Sequence, residues 1–67
     1  MALKDVIKEY REKRGLGQAE LAKLTGLSQG YISKLEKGNY KDPGADVFLQ
    51  LARALKIKVE ELYAAAG

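Results

Sequence analysis

Gln29, Gly30, Ser33 and Lys34 are the residues of this 67-residue chain best suited to reading another molecule, and Lys37 extends the set. On a helix of about 3.6 residues per turn all five fall on one side, opposite the apolar stripe of Leu27, Ile32 and Leu35, with Tyr31 at the edge. A carboxamide can pair bidentately with adenine N6 and N7, and an ammonium group can donate to guanine O6 and N7. Base edges in the major groove of duplex DNA are one target that this face can address. Glutamine and lysine are also common as solvated helix residues, so residue type alone leaves both uses open. Gly30 is equally two-sided. Glycine inside a helix costs about 1 kcal/mol against alanine, which invites a reason such as close approach to a groove floor, yet a first helical turn tolerates it.

The elements that must hold this face meet at Gly26. Leu21 and Ala22 precede that glycine by five and four positions, and Leu27, Ile32 and Leu35 follow it by one, six and nine. Two helices that cross steeply at a tight turn need a small residue where their axes approach, here Ala22, and a corner residue that accepts a positive φ, here Gly26. Ser28 is placed to cap the second of them by accepting a hydrogen bond from a first-turn N–H. These patterns predict helices over about 18–25 and 28–37, with Gly38 closing the second. An earlier helix carries Leu3, Val6, Ile7 and Tyr10 at i, i+3, i+4 and i+7 and should stop near Arg14, before Gly15 and Gly17. Residues 38–44 hold the only proline and two glycines and read as a loop. Beyond it, Ala45, Phe48, Leu49, Ala52 and Leu55 suggest one face of a fourth helix, widened by Val47 and Leu51, with Gly44 as its cap and Asp46 suiting its dipole. A short fifth helix over about 58–63 would bury Val59 and Leu62, with 64–67 frayed. Tyr10, Phe48 and Tyr63 are expected to be core aromatics.

The stretch QAELAKLTGLSQGYISKLEK over 18–37, and with it LGQAELAKLTGLS, YISKLEKG and LARALKIKVEELY in that order, resembles the DNA-binding helix-turn-helix family of phage repressor and Cro-like proteins. The resemblance covers nearly the whole chain. It implies an all-α, five-helix, lambda-repressor-like domain over 1–67, with the helix-turn-helix formed by the second and third helices. It further implies that Gln29, Gly30, Ser33 and Lys34 face bases, and that Gln18, at the start of the second helix, anchors a phosphate. A helix N-terminus supplies free N–H groups for such a contact, although a plain polar cap would look the same in sequence. Ser28, Tyr31, Lys37, Asn39, Tyr40 and Lys41 are expected against the phosphate backbone, though Asn39 to Lys41 could equally form a solvated turn. Arg11 and Glu36 are expected to pair and tie the reading helix to the first. There are three departures from the family pattern. Leu24 stands where a polar residue is common, hinting at a contact or a partly buried site. Lys56 replaces the glycine that usually ends the fourth helix, and Lys58 replaces a small hydroxylic cap.

Composition removes other classes. The chain has no cysteine and no histidine, so it has no disulfide, no zinc finger and no imidazole base. With carboxylates scattered over solvent faces and little room for a deep pocket, an enzyme is not expected, and no cofactor or metal is implied. A chain this short buries only about 60% of its unfolded surface and makes one domain at most. No apolar run approaches the ~20 residues that span a bilayer, and no signal-peptide stretch is seen, so a reducing cytoplasm or nucleoid is the default location. The net charge of +3 divides unevenly, +4 over 1–41 and −1 over 42–67, which suits a polyanion at the N-terminal part. The rival reading is a protein-binding module on the same fold, such as an antitoxin or a transcription bridging factor. With no coiled-coil tail or second domain in these residues, a weak homodimer is expected through the end of the fourth helix, Ile57, Val59, Leu62 and Tyr63. It would form mainly on double-stranded DNA.

Overall fold

The computed structural model describes residues 2–39 and 43–66. Five helices follow one another: α1 Leu3–Lys13, α2 Gln18–Thr25, α3 Gln29–Glu36, α4 Ala45–Leu55 and α5 Val59–Ala66. No described residue lies in a strand, and no helix is long and apolar enough to cross a membrane among the described residues. α1 lies against α3, α4 and α5, while α2 packs on α3 and α4. The centre is filled by Ile7, Leu21, Ile32, Leu35, Phe48, Leu51, Leu55 and Leu62, each fully buried. Every helix therefore sends at least one large apolar side chain to a shared core. Burying an aliphatic or aromatic side chain contributes about 1.5–3 kcal/mol, and a domain without disulfides has this as its main support.

Two helices differ from the periodicity reading, one in its face and one in its length. On α4 the buried set is Phe48, Leu51, Ala52 and Leu55, whereas Leu49 is 46% exposed and Ala45 is exposed as well. Leu49 sits about 100° round the helix from Phe48, outside the arc covered by α1, α2 and α5. On α5, the helix continues past its expected end near Tyr63 and runs to Ala66. Alanine is the best helix former, and Ala65 packs against the core, which holds the last turn.

The ends of the helices set their angles. Gly44 is the N-cap of α4, and Asp46 lies in its first turn. Lys56 ends α4 with φ 56° and ψ 46°, the left-handed conformation. For a residue with a Cβ this costs about 1 kcal/mol. The backbone N–H groups of Lys56 and Ile57 both donate to the Ala52 carbonyl, the latter at 3.1 Å. Arg14 Nε donates to the Leu55 carbonyl at 3.2 Å, so α1's C-cap residue also satisfies the end of α4.

Candidate nucleic-acid interface

The corner between α2 and α3 is built as its residues demand. Gly26 has φ 75° and donates its N–H to the Ala22 carbonyl at 2.9 Å. The Ser28 hydroxyl oxygen accepts from the Tyr31 N–H at 3.1 Å, which caps α3. Thr25 was not singled out in the sequence, yet it stitches the corner from inside. It is 4% exposed, its hydroxyl donates to the Leu21 carbonyl at 2.8 Å, and its oxygen accepts from the Leu27 N–H at 3.3 Å. A hydroxyl in the last residue before the corner glycine was the available signal.

With the corner set, α3 turns Ile32 and Leu35 fully inward. Gln29, Gly30, Lys34 and Lys37 are exposed, and Ser33 is half-buried. The expected reading residues thus share one outward face, with no acidic residue in the first turn of α3. Tyr31 is half-buried at the edge of that face and packs partly on the core. A Cβ added to Gly30 would meet nothing within 4 Å. The fold itself does not require a glycine there. Lys34 lies in the last turn of α3, where a cation also suits the negative end of the helix dipole.

The other end of α3 is fastened by a network. Arg11 donates from Nε to Glu36 Oε2 at 2.6 Å and from Nη2 to Oε1 at 3.0 Å, a bidentate pair. Its Nη1 donates to the Leu16 carbonyl at 2.8 Å. Both side chains are nearly enclosed, with 11% and 5% of their surface exposed. The hydrogen bond to Glu36 is the main cause raising the Arg11 pKa above its already high ordinary value; burial opposes this, and the charges of Glu36 and Glu12 add to it.

Gln18 joins the network, its Nε2 donating to Glu36 Oε1 at 3.2 Å. Sequence spacing did not disclose this. A carboxamide nitrogen carries two hydrogens, so one donor is held by Glu36 while the second is left over at the N-terminus of α2. The Gly17 N–H beside it is taken by Glu20 Oε1 at 2.9 Å. Beyond α3, Asn39 is exposed and its N–H donates to the Lys34 carbonyl at 3.0 Å. Tyr40 and Lys41 lie outside the described residues.

Comparison with known proteins gives a consistent neighbourhood. The helix-turn-helix family model matches residues 7–62. An HTH-type transcriptional regulator of Mycobacterium tuberculosis, Rv0474, is 41% identical over 61 residues, 91% of this chain and 43% of that protein. The chain thus spans less than half the length of that relative. Among solved structures, the Bacillus subtilis biofilm master regulator SinR in complex with DNA superposes with a TM-score of 0.86 at 26% identity, covering 91% of this chain and 97% of the other. The P22 c2 repressor in complex with a synthetic operator gives a TM-score of 0.86 at 29% identity, with 92% of each chain covered.

Proposed function

We propose that this chain, which belongs to the helix-turn-helix family, binds double-stranded DNA sequence-specifically and acts as a transcriptional repressor in the cytoplasm, at the nucleoid. The observation that carries this reading is the outward face of α3. It presents a carboxamide, a hydroxyl and two ammonium groups on a capped helix that is fastened at both ends. A protein-docking α3 would be expected to show acidic or apolar residues there instead. The likeness in overall fold to SinR and the P22 c2 repressor, both solved in complex with DNA, supports the same reading.

In this arrangement α3 enters the major groove, whose width admits one helix. Gln29 addresses adenine and Lys34 addresses guanine, with Ser33 between them. The absent side chain at Gly30 lets the backbone approach the groove floor. Gln18, Ser28, Tyr31, Lys37 and Asn39, with Tyr40 and Lys41, lie along the phosphates. Such contacts fix register and carry no sequence information of their own.

Lys34→Ala should cost about 1–3 kcal/mol on the preferred site and relax choice at one base position. Lys37→Ala should weaken all sequences alike and reduce the salt slope of log K by about one unit. Fluorescence anisotropy on selected and scrambled duplexes across a salt series measures both. Equal weakening of every duplex by both substitutions would remove base reading by Lys34.

A further inference from the structure

Away from α3 there is an open depression of about 510 Å³ lined by Arg14, Leu16, Leu24, Arg53, Ala54 and Lys56. The α1–α2 turn, the C-terminal half of α2 and the end of α4 contribute these residues, and none comes from α3. Leu16 and Ala54 are half-buried, and Leu24 stands 58% exposed. The sequence left open whether Leu24 is partly buried or makes a contact, and burial is not what the structure shows. Three cations ring this apolar floor, and among the described residues none of them is in an ion pair. Arg14 is held in place through Nε on the Leu55 carbonyl at 3.2 Å. Lys56 keeps a left-handed backbone in which glycine would be unstrained. An exposed leucine and a strained lysine are each unfavourable for the isolated fold, and both line one depression. Together they place an apolar floor and a ring of cations on one accessible surface.

We propose that this depression docks a short acidic segment of another protein. One large aliphatic side chain sits between Leu16, Leu24 and Ala54, and neighbouring carboxylates pair with Arg14, Arg53 and Lys56. Charge complementarity selects this occupant. Three cations without an ion pair among the described residues, set around an apolar floor, fit carboxylates flanking an aliphatic anchor, whereas a phosphate backbone would meet the cations and leave the Leu16, Leu24 and Ala54 floor uncovered. A second copy of the chain fits less well. Its own acidic pair, Glu60 and Glu61, adjoins Leu62, which is fully buried, while the exposed Leu49 has one carboxylate, Asp46, within a turn and the cation Arg53 on its other side. Occupation leaves the outward face of α3 open, so the partner joins the chain without displacing DNA.

The test is selection from a displayed pool of random peptides of about twelve residues against the full chain, followed by affinity measurement on chosen peptides. Enriched peptides should share carboxylates within a turn of a Leu, Ile, Met or Phe. Their affinity should fall about tenfold on Leu24→Gln and on Arg53→Glu, substitutions at exposed positions that leave the fold intact. Lys56→Gly should raise the thermal midpoint while weakening the peptide severalfold, a split that a merely structural lysine would not show. No enrichment, enrichment without acidic bias, or peptides indifferent to Leu24→Gln would overturn the proposal. So would a short duplex that shifts the Leu16 and Leu24 backbone amide resonances more than those of Gln29 and Lys34.

Discussion

Arg11 commits all three guanidinium nitrogens, two to Glu36 and one to the Leu16 carbonyl, and through them joins α1, the α1–α2 turn and the end of α3. Gln18 adds α2 to the same carboxylate. A paired charge in a nearly closed site contributes little beyond a well-packed apolar substitute, but a partner left alone is strongly destabilising. Arg11→Ala or Glu36→Ala should therefore each cost about 3 kcal/mol in urea unfolding, and the double substitution should cost clearly less than both together. Strict additivity would mean that the two groups act independently. The pH dependence follows from the sign of the arginine shift. Because its folded pKa is raised, the stability it contributes is present below the ordinary arginine value and is lost only as pH climbs through the raised one. Moderate alkali should leave the pair intact.

At the level of the helices, two glycines four residues apart are predicted to behave in opposite ways. Gly26 has φ 75°, and open space where a side chain would sit, so Gly26→Ala should cost about 1 kcal/mol from backbone strain alone. Gly30 is helical and its missing Cβ also faces open space, so Gly30→Ala should leave the protein as stable or stabilise it by up to about 1 kcal/mol. If Gly30 serves close approach to DNA, the stabilised variant binds its preferred duplex more weakly; unchanged binding would assign Gly30 no role. Thermal melts and anisotropy on the same two proteins give the answer. The two glycines also show what a sequence can disclose. Corner, cap and helix bounds of α1–α3 depend on residues close in the chain, whose spacing encodes geometry directly, and the pairing of Arg11 with Glu36 was implied by the family pattern. Leu49 was misplaced because an apolar residue on a helix reveals its angle but not where neighbouring helices end. The hydrogen bond from Gln18 to Glu36 was missed because a glutamine opening a helix looks the same whether it faces solvent or a carboxylate from another element. Thr25 was overlooked because its bonds go to its own backbone, which periodicity does not weigh.

For the molecule as a whole, a body of 26 × 22 × 20 Å with one short reading helix addresses only a few base pairs. Each discriminated position is worth about 1–3 kcal/mol, too little for one copy to stand out against a genome of competing sites. A two-fold pair solves this by placing two such helices in successive major grooves about 34 Å apart. The C-terminal surface expected to hold the pair needs correction. Leu62 is fully buried, and Ile57 and Val59 are half-buried against their own core, so none of them offers a broad free face. What remains is Tyr63, 47% exposed and stacked on Phe48 with ring centroids 4.4 Å apart, and Leu49 beside Phe48 in sequence. Two side chains make a patch far below the roughly 1,200 Å² of a stable interface, which points to pairing only when DNA brings two copies together. Sedimentation should therefore show monomer without DNA, and binding to an inverted repeat should be cooperative. Leu49→Gln should reduce that cooperativity while leaving half-site affinity unchanged, because Leu49 is not among the residues assigned to DNA contact and, 46% exposed, can be replaced without opening the core. Footprints confined to one asymmetric half-site, bound without cooperativity, would rule out the pair and leave the chain a monomeric reader.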